Sequence, residues 1–283
     1  MDQIILEHET KRPVKTVEIP PCPAILTRLI AEMRSDDPDF PKMAKLISAD
    51  VALAATMLKT VNSPFYGLSQ KVNSIAQALA LLGLRNVSHL VTRLLLQQAL
   101  AVGSNEAMED YWDSSSKIAA ILSWLARKTG KLDRDEAYTY GLFRDSGVPV
   151  MMLNFDDYVE LAGDTAGNKE RLLSEIEMDE LGTDHATLGH TLAESWHLSQ
   201  ATCMAIKHHH HYASLDQGTD LPPQTVSMIA LGVIAERLYC EHCGDPESAE
   251  WRRAGAAALI YSGINAEELK ACEADINGLL ATH

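Results

Sequence analysis

The sequence predicts an all-α, multi-helical protein, and three observations carry that expectation. Apolar residues recur at every third and fourth position through most of the 283 residues. The periodic stretches end at residues that stop helices for physical reasons, chiefly Asn, Gly and Pro. Period-two alternation bounded by turn residues is confined to residues 14–19, a segment too short and isolated to build a sheet.

Residues 1–16 are polar, lack periodicity beyond Ile4, Ile5 and Leu6, and read as an N-terminal arm. Pro20, Pro21 and Pro23 then set an extended lead-in to a first helix marked by Ile25, Leu29 and Met33. From Lys42 to Val61 the apolar positions Leu46, Ile47, Leu53, Met57, Leu58 and Val61 keep helical spacing, with Asp50 placed to divide two shorter helices. Asn62 and Pro64 end the stretch, because Asn tolerates a left-handed terminus and proline cannot continue the ladder. Ser74 is a candidate N-cap for a helix ending at Gly83, and Asn86 for one carrying Val87, Leu90, Val91 and Leu94. That makes five helices in the first hundred residues. A polar break at Gly103-Ser104-Asn105-Glu106 sets the expected boundary between an N-terminal lobe, residues 17–105, and a second lobe, residues 106–283. In the second lobe the helical pattern resumes through Ile118 and Leu125 to Gly130. Asp133 with Glu136 caps a helix running to about Phe143, Ser199 caps the helix that holds a histidine tract, and the chain from Pro222 onward is helical.

Composition bounds the partners. A net charge of −15 opposes binding to phosphate backbones, and the best basic clusters are only the pairs Arg127-Lys128 and Arg252-Arg253, so no nucleic acid is expected. No apolar run approaches the roughly 18 residues of a bilayer span, and the first residues lack a basic leader, so a cytoplasmic protein with no membrane partner is expected. Five scattered cysteines suit reduced thiols. Cys240-Glu241-His242-Cys243 has zinc-like spacing without a second pair, which reads as coincidence at a helix end. Glycine-rich phosphate loops, Gly-x-Ser-x-Gly elbows and His-Glu-x-x-His motifs are absent.

The histidines are sorted by helical geometry. At about 100° per residue, His185 shares a face with Leu188, Leu192 and Trp196, whereas His190, Glu194 and His197 point to water. In the next helix His209 and His210 fall with Cys203 and Ile206, while His208 and His211 project elsewhere. Three inward histidines from adjacent helices offer neutral imidazole lone pairs to a borderline metal, but residue spacing supplies no carboxylate to join them.

Four segments in order resemble the HD-related output domain (HDOD) family, bacterial signalling modules derived from the HD phosphohydrolase fold. They are Ile47-Ser48-Ala49-Asp50-Val51-Ala52-Leu53 leading to Asn62-Ser63-Pro64-Phe65-Tyr66-Gly67; Ser74-Ile75-Ala76-Gln77-Ala78 through Gly83; Gly141-Leu142-Phe143-Arg144-Asp145-Ser146-Gly147; and Asp184-His185 through Trp196-His197-Leu198 to His208-His209-His210. The resemblance covers residues 17–212 and implies an N-terminal helical bundle packed on a degenerate HD-like lobe. Asn62 and Ser63 match the family signature. In the third segment Arg144 stands where HD proteins place the histidine of their His-Asp dyad, and Asp145 matches the aspartate. Ser114 stands where the upstream helix usually offers histidine, and the helix of residues 226–237 contains no Asp.

Asp145, His185, His209 and His210 are therefore expected as remnants of a metal site with about half its ligands lost, with no catalytic residue, no metal and no cofactor. Arg144 has no lone pair and repels a dication. It serves either in a buried polar network, the favoured reading, or in an anion-binding pocket with the histidines. The resemblance implies a non-catalytic signal-transduction module that recognises a signalling protein partner. The alternatives are a metal-dependent phosphohydrolase with an unusual ligand set, or a nucleotide or phosphate sensor that does not hydrolyse.

Overall fold

The computed structural model describes residues 2–5, 16–33, 35, 37–63, 71–100, 106–165, 170–215, 219–244 and 248–281. The chain divides into two compact units, one formed by the described residues of Met1–Pro21 and Val102–Gly278, the other by those of Cys22–Ala101 and Leu279–His283. Residues 2–5 and 16–21 fall in the larger unit, and the smaller unit begins at Cys22. Pro64–Gly67 of the family signature and the break at Gly103–Asn105 lie outside the described residues.

The smaller unit holds α1 (Ala24–Met33), α2 (Phe40–Ala49), α3 (Val51–Val61) and α4 (Ile75–Ala99). Asp50 divides α2 from α3 as its position implies: its extended backbone ends α2, and its side chain accepts from the Leu53 N–H at 2.9 Å to start α3. The five expected helices are present, and α4 joins the last two end to end. Gly83, at φ 77° and ψ 164°, breaks the helix inside α4 without a separating loop. Asn86 is consequently no N-cap; its side-chain amide donates to the Leu82 carbonyl across the break. By length and composition α4 could cross a membrane, contrary to the expectation that no run approaches a span. It packs against α1, α2 and α3, and its residues Leu79, Val87, Val91, Leu95 and Leu96 are core residues.

Asn62 closes α3 in a way that reaches beyond a cap. Its side-chain Nδ2 donates to the carbonyls of Leu58 and Val72, each at 2.8 Å, and its Oδ1 accepts from the Val72 N–H at 2.8 Å. One amide thus clasps the end of α3 to the segment entering α4, ten residues on. Asn62→Ala is expected to lower stability by about 1–2 kcal/mol, read as a shifted urea midpoint, whereas Asn62→Asp, which keeps the acceptor but loses both donors, falls between. Ser63 contributes a backbone N–H to the Thr60 carbonyl at 3.0 Å.

The larger unit opens with β1 (Asp2–Ile5) and β2 (Thr16–Ile19), an antiparallel pair in the register Asp2↔Ile19 to Ile5↔Thr16. Residues 14–19 were expected to remain unpaired. The partner, Asp2–Ile5, has no alternation to announce it, and the other edge of β2 is held by helical side chains. Asn154 Oδ1 accepts from the Glu18 N–H at 3.0 Å while its Nδ2 donates to the Glu18 carbonyl at 3.2 Å, so one amide stands where a third strand would. Val17 and Ile19 are buried on the side that the alternation predicts.

The helices that follow are α5 (Glu106–Thr129), α6 (Arg134–Phe143), α7 (Gly147–Asn154), α8 (Tyr158–Thr165), α9 (Leu173–Leu181), α10 (His185–Ser195), α11 (Gln200–His208), α12 (Pro223–Cys243), α13 (Ala249–Ser262) and α14 (Ala266–Ala281), with a 3-10 turn at Tyr212–Leu215. The expected caps are present: Asp133 accepts from the N–H groups of Asp135 and Glu136, and Ser199 from that of Thr202. Helix α12 is buried on every face from Thr225 to Ala235, about half its length, and packs against α5, α11 and α13. Such a helix, apolar on every face, is the core of the unit.

Candidate functional site

Three chain segments meet at one place in the larger unit. Helix α6 ends at Arg144, and Asp145 follows in the tight connection to α7. Asp184 caps α10 through the Thr187 N–H at 2.7 Å, which fixes His185 as the first residue of that helix. His209 and His210 lie at the end of α11. One ligand atom from each of Asp145, His185, His209 and His210 lies within 4.8 Å of all the others, and among the described residues no other grouping of three or more His, Cys, Asp or Glu meets that condition. Asp145 Oδ1 stands 3.3 Å from His209 Nε2 and 3.8 Å from His185 Nε2, and His185 Nε2 is 2.9 Å from His210 Nε2.

The outer nitrogen of each ring is occupied. His185 Nδ1 is 2.6 Å from Glu177 Oε2, which also accepts from the His185 backbone N–H at 2.9 Å, while Tyr158 donates its hydroxyl to Glu177 Oε1. His209 Nδ1 lies 2.6 Å from the Ile206 carbonyl, and His210 Nδ1 lies 3.2 Å from the Tyr212 hydroxyl. All three rings therefore turn Nε2 inward. Burial pulls His185 down, but the Glu177 carboxylate outweighs it and pushes the imidazole up to about 9. In the metal-free chain His185 is then held as an imidazolium by Glu177, and it must release its Nε2 proton before that nitrogen can act as a ligand. Burial lowers His209, and lowers His210 well below the ordinary range, so both stay neutral. Burial alone would raise Asp145; the Arg144 guanidinium, then His209 and His185, hold it well below the usual carboxylate range.

Arg144 is 5% exposed and its charge is answered twice. Its Nη2 donates to Glu236 Oε2 on α12 at 2.5 Å, and its Nε lies 3.8 Å from Asp145 Oδ2. The shorter contact goes to Glu236, so the adjacent aspartate is the secondary partner. Asp145 thus turns one oxygen to a permanent cation and the other to the histidines. Near the same arginine, burial first and the Glu236 charge second push Glu250 up to about 6. A carboxyl raised from its unfolded value near 4.5 stabilises the fold below that pH and loses the contribution as pH rises through about 6. The stability difference between Glu250→Gln and the parent chain is therefore expected to swing by on the order of 2 kcal/mol in favour of the variant between pH 4 and pH 7, measured by denaturant titration.

Other residues singled out in the sequence fall elsewhere. The Ser114 hydroxyl bonds to the Tyr111 carbonyl within α5, and it is Ser115 that reaches the Leu142 carbonyl on α6. Of the set expected to face water, Glu194 and His197 are exposed and only His190 is not, although its Nε2 lies 3.5 Å from Glu194 Oε2. His190 is only 14% exposed at its side chain and its Nδ1 lies 3.0 Å from the Cys203 carbonyl, while His197 lies beyond the end of α10 with φ 58°, because the helix stops at Trp196. Cys240 is half-buried, Cys243 exposed and Cys272 buried. Glu177 and Glu236 were missed. Glu177 carried a signal: it sits four residues from both Leu173 and Leu181, on a stripe where an acid must find a partner.

A family model for the HDOD domain matches residues 19–212. The chain belongs to the HDOD domain family. The match contains Asp145 and all three inward histidines, while Glu236 and Glu250 lie beyond it. The fold is similar to that of an HDOD domain protein of unknown function from Geobacter sulfurreducens (TM-score 0.71, 22% identity, 93% of this chain and 90% of that one). It is also similar to a protein from Shewanella amazonensis SB2B provisionally titled a phosphohydrolase (TM-score 0.70, 21% identity, 93% and 92%). An uncharacterized protein of Treponema pallidum (strain Nichols) is 26% identical over 197 residues, 69% of this chain, and this HDOD chain spans only 38% of that relative.

The resemblance to the HD phosphohydrolase fold implies a metal, and the residues present fit one ion. Three imidazole nitrogens and a carboxylate oxygen are the donor set of a borderline divalent cation. His209 Nε2 is buried without a hydrogen-bond partner and aimed into the cluster. Bound there, an ion would supply positive charge and a fixed geometry. The residues do not fit a second ion on the far side of Asp145, where the guanidinium of Arg144 stands.

Proposed function

We propose that this HDOD chain is a non-catalytic signal-transduction module that acts through a protein partner. The observation that carries the reading is the use of Asp145. Its Oδ1 faces the Nε2 atoms of His209 and His185, and its Oδ2 faces the tethered cation of Arg144. A hydrolytic metal site keeps an open position for water, whereas this pocket offers four protein ligands, enough to close a tetrahedral shell. Two-ion hydrolysis needs a second cation that can bind an attacking or leaving oxygen, and an arginine bound to Glu236 at 2.5 Å is fixed and already spent. The site is thereby suited to holding a conformation, and a conformation is what a partner reads.

Untagged chain, supplied in turn with Mn2+, Co2+ and Zn2+, is expected to show no turnover of nucleotide or cyclic-dinucleotide phosphoesters above that of Asp145→Ala. Turnover that disappears in Asp145→Ala would overturn the reading and favour the metal-dependent phosphohydrolase.

A further inference from the structure

The histidine cluster leaves one buried ring nitrogen without a partner. His209 is 2% exposed, and its Nδ1–H is committed to the Ile206 carbonyl at 2.6 Å. Its other nitrogen, Nε2, is buried without a hydrogen-bond partner, 3.3 Å from Asp145 Oδ1. A ring nitrogen and a carboxylate oxygen so placed are both satisfied by a cation between them. Two further donors already face the same point, His185 Nε2 and His210 Nε2.

The spacing suits an ion of definite size. Ligand atoms on a tetrahedral zinc-like centre with bonds near 2.0–2.1 Å stand about 3.3 Å apart. Three separations among the four ligand atoms, 2.9, 3.3 and 3.8 Å, bracket that value, and all lie within 4.8 Å. Each histidine is also oriented from behind, by Glu177, by the Ile206 carbonyl and by Tyr212, as ligating imidazoles require. Three nitrogens to one oxygen select a first-row transition ion over Mg2+ or Ca2+.

We propose that Asp145, His185, His209 and His210 bind a single divalent transition-metal ion of the zinc class, and that the Arg144–Glu236 pair limits the site to one ion. Arg144 carries a charge it cannot lose and occupies the side of Asp145 on which a second ion would need the Oδ2 oxygen. Ion binding and the absence of turnover are separate properties, so the site stands or falls independently of the signalling reading.

The test uses the full chain, untagged or with its tag removed, stripped with a chelator and titrated with Co2+ and then Zn2+. One equivalent of metal by elemental analysis is expected, with the intense visible bands of four-coordinate Co2+, a rise in Tm on loading, and no competition from excess Mg2+. The bands disappear in His209→Gln and in Asp145→Asn, and Glu177→Gln weakens binding about 10–100-fold. A His208→Gln/His211→Gln double variant, which alters nearby histidines outside the cluster, leaves the spectrum unchanged. Circular dichroism identifies any variant that fails to fold, and His210→Gln, at the half-exposed edge of the cluster, then takes its place. No bound metal, two equivalents, or one equivalent that survives every cluster variant overturns the proposal. Metal binding accompanied by phosphoester turnover leaves the site intact and sinks the non-catalytic reading instead.

Discussion

Glu177→Ala is expected to remove about 3–5 kcal/mol of stability from the metal-free chain, measured by urea denaturation in the presence of a chelator. The residue is fully buried, yet its carboxylate accepts from the His185 ring, from the His185 backbone N–H and from the Tyr158 hydroxyl. Three donors lose their acceptor at once, and one of them belongs to a buried imidazolium. Glu177 remains ionised although burial opposes it, because the pull of His185 is larger. Deleting one member of such a pair costs far more than the pair itself contributes, since the other is left charged in a place without water. Glu177→Gln preserves an acceptor of the same shape and separates the two contributions: a loss about half as large assigns the remainder to charge. A variant as stable as the parent would mean that His185 is neutral, with its proton held elsewhere.

The legible parts of this protein were those set by local chemistry. Asp50, Asp133 and Ser199 announce helix starts because a short side-chain oxygen before an apolar stripe has few other uses. The inward turn of His185 followed from a rotation of about 100° per residue along α10, and that of His209 from the same rotation carried one helical residue past α11, whereas His210 lies in the turn beyond. The misses share a different physics. The β1–β2 pair depends on Asn154, 136 residues from the backbone it caps, and nothing around Asn154 marks it. His197 was placed by extending a helix past its end, and the positive φ there becomes visible only once the chain turns. Glu236 pairs with Arg144 across 92 residues. The ligands that HD proteins carry and this chain lacks say nothing of the groups that support those it keeps. The orientation of the three rings, through Glu177, Ile206 and Tyr212, depends on residues outside that comparison.

The second large effect lies in a backbone approach. Gly147→Ala is expected to cost about 4 kcal/mol or more, enough to abolish a cooperative unfolding transition in the larger unit. A Cβ at Gly147 would lie 1.8 Å from the His185 carbonyl oxygen and 2.8 Å from the Gly189 N, and these are backbone atoms that cannot rotate aside. Helices α7 and α10 therefore meet where neither chain carries a side chain in the way. That contact sets the site as well as the stability. Asp145 lies two residues before Gly147, and His185 is the very residue whose carbonyl a methyl group would strike, so displacing α7 draws Asp145 away from His185 and His209 together. A conformational cause is distinguished from a chemical one by Gly163→Ala, where a Cβ meets no atom within 4 Å and stability is expected to be kept. If Gly147→Ala unfolds with the parent's midpoint, α7 is free to shift, and the close crossing is not what brings Asp145 to the histidines.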